Sequence, residues 1–253
     1  MRAVGVHPDA VVVTSRMWQT TCTAIRAGGE AMLLDSPYFP DELDALPALL
    51  RRAGFDVTAL LATHADYDHL LGRAAFPELA LGVGESTAIR LRSEPGVAQK
   101  ELRDADAEHY VERPAPLSLG SYQPLPAPGF VGLGREELEL HPAEGHTADG
   151  VAVFARWAGV LCLGDYLSDV EIPLISEKGS LEAYRATLAR LAPLVEAAET
   201  VVPGHGSPHD RDTALRLLDE DLAYLDGLAK LPPGRDTKRQ REIHQANLTR
   251  LDR

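Results

Sequence analysis

The stretch VTALLATHADYDHLLG at 57–72 decides the fold of this chain. Residues 57–64 form a short apolar run that predicts a buried β-strand, and the motif THADYDH at 63–69 begins where that strand ends. Histidine and carboxylate side chains that meet at a strand end are typical ligands of divalent metal ions. The motif offers four of them: His64, Asp66, Asp68 and His69.

Four other motifs repeat this pattern of a strand that ends in His or Asp: LLDSP at 33–37, GHT at 145–147, LGDY at 163–166 and PGHG at 203–206. The last three motifs add further candidate metal ligands, namely His146, Asp165 and His205. So many imidazoles and carboxylates would repel one another or stay unsatisfied unless cations lay between them. The sequence therefore predicts a site for two metal ions.

Composition limits the classes of partner. The chain has 253 residues, 45% of them hydrophobic, and a formal net charge of −13. That charge repels nucleic acid, and no apolar run approaches the ~20 residues that a membrane span requires. We find no export signal, and the two cysteines lie in apolar runs, as expected of buried thiols in a reducing compartment. We therefore expect a cytoplasmic protein that acts on a small molecule without nucleic-acid or membrane partners.

The pattern of elements predicts an α/β fold. Apolar runs predict strands at 10–13, 20–26, 31–35, 57–64, 79–84, 137–141, 150–156, 159–165 and 200–203. Helical spacing and terminating Gly or Pro predict helices at 41–53, 68–75, 99–109, 180–198 and 210–230. Two strand-rich halves that are each closed by helices favour two sheets packed face to face between helical layers. We expect one domain over 1–253.

Residues 86–136 interrupt this pattern. A charged helix is followed by RPAPLSLGSYQPLPAPGF, in which the prolines argue against regular structure. We interpret this stretch as an insertion that forms a lid over the site. The strongly charged C-terminal tail is expected either to fray or to pack as a short helix.

The order and spacing of the motifs resemble those of the metallo-β-lactamase-fold hydrolases, whose pattern is H-x-H-x-D-H followed by a single His, an Asp and a final His. The resemblance covers about residues 10–210 and implies an αββα four-layer sandwich with two divalent ions, zinc foremost. It implies a first metal site of His64, Asp66 and His146 and a second of Asp68, His69 and His205. Asp165 would then bridge both ions, and Asp35 would support the ligands from behind.

The chain departs from the family pattern at Asp66, where the second His of the motif usually stands. If Asp66 is a ligand, the added oxygen donor and negative charge favour manganese or iron over zinc and acidify bound water less. Alternatively the first site is weakened and only the second fills, or Asp66 points away and activity is lost. We favour the first of these three interpretations.

The resemblance implies a metal-dependent hydrolase. A hydroxide that bridges the metals would cleave an ester, thioester, lactone or related acyl bond of a small molecule, and Asp68 would orient its proton. The alternatives are a small-molecule phosphodiesterase, a non-haem di-iron oxidoreductase or sulfur-substrate dioxygenase, and a non-catalytic binding protein. Exposed apolar helix faces in this type of fold are compatible with a homodimer.

Four further residues are candidates for supporting roles. Tyr166 follows the bridging Asp and is a candidate hydrogen-bond donor to an oxyanion. Trp18 and Tyr38 lie in loops where aromatic side chains can form a substrate wall, although packing against the insertion explains them equally well. His209 is a candidate to support the ligands of the PGHG motif, with a place beside the helix cap at Asp210 as the favoured alternative.

Overall fold

Two mixed β-sheets form the centre of this computed structural model, which describes residues 1–228, 230–232 and 234–251. The first sheet follows chain order from edge to edge. Its strands are β1 (Arg2–His7), β2 (Ala10–Thr14), β3 (Thr21–Ala27), β4 (Glu30–Asp35), β5 (Val57–Ala62), β6 (Leu81–Gly84) and β7 (Tyr122–Leu125). Strands β1 to β4 pair antiparallel, and β4 to β7 pair parallel.

The second sheet belongs to the C-terminal half of the chain. From one edge to the other, its strands are β13 (His209–Asp210), β12 (Thr200–Val202), β11 (Val160–Cys162), β10 (Val151–Ala155), β9 (Glu136–Pro142) and β8 (Gly129–Leu133). Strands β11 and β12 pair parallel, and the other neighbours pair antiparallel.

Helices cover the outer faces of both sheets. They are α1 (Pro40–Arg52), α2 (Gly72–Ala75), α3 (Glu85–Ser93), α4 (Val97–Glu108), α5 (Leu181–Ala197), α6 (Arg211–Gly227) and α7 (Lys238–Leu251). Ser180 and Asp210 cap α5 and α6 by accepting hydrogen bonds from backbone N–H groups of the first turn. None of the described helices is long and apolar enough to cross a lipid bilayer.

Alternating side chains along the strands divide the core into three apolar layers. In β5, Leu60 and Ala62 pack with the helices on the outer face of the first sheet, whereas Leu61 packs between the sheets. In β10, Phe154 packs against the helices outside the second sheet, and Val153 packs between the sheets. This period of two is the expected consequence of strand geometry, and it confirms the predicted α/β sandwich.

Two predictions about local structure are wrong. Prolines do not prevent regular structure over the whole Pro-rich stretch, because β7 lies within it and β8 begins at its end, and these strands extend one edge of each sheet. Pro124 is accommodated because β7 is an edge strand, where a missing N–H costs little. The helix predicted at 68–75 is instead a 3₁₀ turn, Tyr67–His69, followed by the short helix α2.

Candidate metal centre

The predicted metal ligands meet at one end of the two sheets. The first sheet contributes the segment after β5, and the second contributes the loop before β10 and the segments after β11 and β12. Among the described residues, three overlapping groups have ligand atoms within 4.8 Å of one another. The groups are His64, Asp66 and His146; Asp68, His69 and His205; and His64, His69 and Asp165.

Each metal site that the resemblance implies corresponds to one of these groups. In the first, Oδ2 of Asp66 lies 3.7 Å from Nε2 of His64 and 3.4 Å from Nε2 of His146. In the second, Oδ2 of Asp68 lies 3.8 Å from Nε2 of His69 and 3.4 Å from Nε2 of His205.

Asp165 lies between the two groups. Its Oδ1 is 3.1 Å from Nε2 of His69, and its Oδ2 is 3.3 Å from Nε2 of His146 and 3.4 Å from Nε2 of His205. One carboxylate therefore faces imidazoles from both groups, which is the position that a bridging ligand requires.

Each of the four imidazoles is fixed through Nδ1, so that Nε2 points into the centre. Nδ1 of His69 donates to Asp35, 3.0 Å away, and Nδ1 of His146 donates to the carbonyl of Leu174, 2.8 Å away. The corresponding partners of His64 and His205 are Oγ1 of Thr63 and the carbonyl of Trp18. Such anchoring is usual for metal-binding histidines because it selects the tautomer with a free Nε2.

The donor set fits divalent cations. Several buried atoms at the centre have no hydrogen-bond partner within the described part of the chain: Nε2 of His64, His69 and His146, and Oδ1 of Asp165. Unpartnered buried polar atoms carry a desolvation cost that metal coordination would remove. The residues present therefore match a site for two metal ions.

The carboxylates dominate the electrostatics of the metal-free centre. Burial favours neutral imidazole, but Asp165 and the neighbouring carboxylates outweigh it and raise the pKa of His146 to about 9 and that of His205 to about 10. For Asp66, burial acts upward on the pKa, but His146 and His64 hold it well below its usual range. The carboxylates of the metal-free centre therefore favour positive charge beside them, either on the imidazoles or on a bound cation.

Asp35 supports ligands of both sites. Its Oδ2 accepts hydrogen bonds from Nδ1 of His69 and from Oγ1 of Thr63, which is itself 3.0 Å from Nδ1 of His64. Its Oδ1 accepts the backbone N–H of Thr63 at 2.8 Å. Asp35 has a φ of 57°, and this left-handed conformation turns its carboxylate from the end of β4 toward Thr63. Thr63 is the first residue of THADYDH at 63–69, hereafter the metal motif.

Gly204 of the PGHG motif lets the backbone pass directly beside the ligands. A Cβ atom at this position would lie 2.1 Å from Oδ1 of Asp165 and 2.9 Å from Cε1 of His69. The Gly204 N–H donates to the carbonyl of Gly164, and its own carbonyl accepts the N–H of Thr21. The close approach leaves no room for any side chain.

Two predicted supporting roles are not compatible with the structure. The hydroxyl of Tyr166 donates to the carbonyl of Ala143 and accepts the N–H of His146, so it is not free to donate to an oxyanion. The side chain of Tyr38 is fully buried and donates to Asp106. Tyr38 therefore cannot contact substrate directly, and packing is the correct interpretation of this residue.

Trp18 and His209 occupy different surroundings. Trp18 is partly exposed and packs edge-on against Tyr38, Tyr67 and His109, next to the metal motif. It remains a candidate for a substrate wall. His209 is buried in β13, with Nε2 3.9 Å from Oδ1 of Asp169, and does not belong to the clustered ligands.

Two residues beside the first site, Arg90 and Asp149, were not predicted from the sequence. Arg90 of α3 lies 2.8 Å from both Oδ1 of Asp66 and Oδ1 of Asp149. Asp149 follows the GHT motif by two residues, so its carboxylate could have been identified from the sequence as a candidate site residue. Arg90 carries no comparable signal because it is one of several charged residues on its helix.

Comparison with known proteins agrees with this architecture. A metallo-beta-lactamase family protein from Thermus thermophilus superimposes with a TM-score of 0.68 at 20% identity, covering 88% of this chain and 83% of its own. A metallo-beta-lactamase from Pontibacter korlensis gives 0.67 at 20% identity, covering 89% and 99%. TTHA1623, solved in a di-iron-bound form, gives 0.63 at 23% identity, covering 81% and 97%.

Sequence comparison identifies the family. No curated protein sequence matches the chain. The family model of the metallo-beta-lactamase superfamily matches residues 16–205, a span that begins before β3 and ends at His205. That span contains all seven clustered ligand residues. The chain therefore belongs to the metallo-beta-lactamase superfamily.

Proposed function

We propose that this protein is a metal-dependent hydrolase that adds water across an ester, thioester, lactone or related acyl bond of a small molecule. The observation that carries the proposal is the convergence of four imidazole Nε2 atoms on Asp165, each ring being fixed through Nδ1. Membership of a superfamily composed mostly of metal-dependent hydrolases supports it.

The roles of the residues follow from their positions. His64, Asp66 and His146 would hold one ion, Asp68, His69 and His205 the other, and Asp165 both. When bound, two such ions would supply Lewis-acid activation of the scissile bond and would lower the pKa of bound water. We assign Asp68, whose side chain is 10% exposed, to accept the proton of the attacking water at its carboxylate.

A small-molecule substrate agrees with the surface charge. The formal net charge of −13 disfavours a polyanionic substrate such as nucleic acid. Trp18, at the edge of the metal motif, offers apolar contact area for a substrate. We propose that both metal sites fill and that manganese or iron competes with zinc, because Asp66 adds an oxygen donor.

A second candidate is an iron-loaded site with redox chemistry. The observation that favours it is the di-iron-bound form of TTHA1623, a structural relative with 23% identity. Metal analysis separates the two candidates, since a colourless zinc or manganese protein that hydrolyses acyl bonds excludes the redox alternative.

The test of the proposal is elemental analysis of protein purified without chelator, followed by assays with the metal that it identifies. The substrate panel contains aryl esters, thioesters, lactones and bis-aryl phosphates. We expect two ions per chain and acyl hydrolysis, with loss of activity and bound metal in His69→Ala and His205→Ala. His141→Ala is the matched control because His141 pairs with Glu139, outside the centre. A protein without bound metal, or one that hydrolyses only the phosphates, would contradict the proposal.

A further inference from the structure

We propose that Arg90 is a positioning residue for the first metal site: it holds Asp66 as a one-oxygen ligand and balances the charge that this aspartate adds. The inference rests on Asp66 being a metal ligand, as proposed above. It concerns the one position at which the chain departs from the H-x-H-x-D-H pattern, and it identifies what compensates for that departure.

The two oxygens of Asp66 face different partners. Oδ1 lies 2.8 Å from a terminal guanidinium nitrogen of Arg90. Oδ2 faces Nε2 of His64 and of His146, at 3.7 Å and 3.4 Å. Because the arginine occupies Oδ1, a single oxygen is left for a metal ion, and this matches the single nitrogen that an imidazole would supply at the same position.

The guanidinium also fixes the surroundings of the other two ligands. Its second terminal nitrogen lies 2.8 Å from Oδ1 of Asp149, and Oδ2 of Asp149 accepts the backbone N–H of Ala65 at 2.9 Å. Ala65 lies between His64 and Asp66, and Asp149 lies three residues after His146. Arg90 and Asp149 thus connect the two segments that carry the first site. The planar fork of arginine suits this bridge, and a lysine ammonium would not span it in the same way.

The charge of the centre gives a second reason for the arrangement. Asp66 is a third carboxylate in a site that also contains Asp68 and Asp165, where an imidazole would be neutral. The Arg90 side chain is only 13% exposed, so solvent screens its charge weakly. The buried, permanently charged guanidinium offsets part of the charge that Asp66 adds, and it also pairs with Asp149 and Glu94.

The experiment measures metal binding in four proteins: wild type, Arg90→Gln, Asp66→His and the double variant. Apo proteins are dialysed against buffered series of free Zn²⁺ and Mn²⁺, and bound metal is counted by elemental analysis. Substitutions behind metal ligands typically weaken binding about 10–100-fold. We expect Arg90→Gln to weaken the binding of one of the two ions by that factor and to leave the binding of the other unchanged. The number of ions bound per chain should then fall from two to one at intermediate concentrations of free metal.

The Asp66→His background separates positioning from a general structural effect. An imidazole neither needs charge compensation nor offers the oxygen that Arg90 holds, so Arg90→Gln should weaken metal binding at least several-fold less in that background. Arg90→Lys should recover part of the lost affinity, since it restores the charge without the fork. Arg113→Gln is the matched control, because Arg113 is similarly buried and pairs with Asp106, away from the ligands.

The outcomes are distinguishable. Unchanged binding of both ions by folded Arg90→Gln overturns the inference and leaves the proposed hydrolase intact. An equal loss in the Asp66 and Asp66→His backgrounds also overturns it, because it indicates a structural role alone. A wild-type protein that binds no metal refutes the proposed function itself. Circular dichroism confirms that the variants are folded, and a buried Arg90→Gln that unfolds is replaced by Arg90→Lys, whose affinity at one site should still fall.

Discussion

Nδ1 of His69 lies 3.0 Å from Oδ2 of Asp35, and the same oxygen accepts the hydroxyl of Thr63 that contacts His64. One carboxylate oxygen therefore fixes an imidazole from each proposed metal site. We expect Asp35→Asn to lower the affinity for both ions by about 10–100-fold, because the amide lacks the charge that orients these rings. Asparagine tolerates the left-handed backbone of this position, so the effect is not backbone strain.

Thr63→Val provides the matched comparison for Asp35→Asn. It removes only the hydroxyl that relays Asp35 to His64, and the direct contact with His69 stays. Titration of the apo proteins with metal should show weaker binding of one ion for Thr63→Val and of both ions for Asp35→Asn. Wild-type affinity in Asp35→Asn would contradict the role that we assign to this carboxylate.

Tyr166→Phe tests whether the tyrosine hydroxyl acts structurally. The hydroxyl bridges the backbone at Ala143 and His146, and its loss leaves a buried N–H and carbonyl unsatisfied. We expect a decrease of about 1–3 kcal/mol in the free energy of unfolding. We expect kcat on the best acyl substrate to change less than tenfold, whereas loss of an oxyanion donor costs about 100–1,000-fold. Denaturant titration and steady-state kinetics measure the two effects.

Asp66→His restores the usual residue of the family pattern. We expect the variant to retain two ions and to shift its preference from Mn²⁺ or Fe²⁺ toward Zn²⁺, because nitrogen replaces an oxygen donor. Competition between equal concentrations of free Zn²⁺ and Mn²⁺, followed by elemental analysis, measures the ratio. A ratio equal to that of the wild type would show that Asp66 does not coordinate.

Trp18→Ala tests the proposed substrate wall. Trp18 is partly exposed beside Tyr67 of the metal motif, and Arg239 of α7 lies 4.7 Å above its ring. We expect KM for an aryl ester to rise about tenfold with little change in kcat, as for lost binding energy that the ground state and transition state share. Trp18→Phe should restore most of the affinity. A fall in kcat alone would place Trp18 outside the substrate wall.

Arg235 connects the C-terminal segment to the loop after Asp165. Its guanidinium pairs with Asp221 at 2.6 Å and donates to the carbonyls of Ser168 and Glu171, and both charged side chains are almost fully buried. We expect Arg235→Met to lower the free energy of unfolding by about 3–5 kcal/mol, because Asp221 is left buried without a charged partner. Adding Asp221→Leu should recover much of this loss in denaturant titration, and no recovery would contradict the explanation.

The strand ends that carry the site were predictable because local patterns mark them. A short apolar run in the sequence indicates a buried strand, and a polar residue at or just after its end is easily identified, as at Asp35, His64 and Asp165. The strand at Arg2–His7 was not predicted, since most of its residues are exposed and do not form an apolar run, although it makes a hairpin with the neighbouring strand β2.

The contacts that organise the centre were less predictable. Arg90 reaches Asp149 across 59 residues of sequence, and nothing in the local pattern of α3 distinguishes it from Arg92. The burial of Tyr38 depends on Asp106 and Arg113, which come from the stretch interpreted as a lid. Residues within one element follow local rules, whereas such tertiary pairs depend on how the elements are placed.

The absence of a side chain at Gly204 has a consequence for the interpretation of homologous protein sequences. An alanine there would require Asp165 and the ring of His69 to move away from the backbone at position 204, since its methyl group would occupy the space that they fill. A homologue that retains every histidine and aspartate of the centre but has a larger amino acid at this position is therefore expected to be a pseudoenzyme or to have rebuilt its bridging carboxylate. One glycine thus serves as a test that an inventory of ligand residues would overlook.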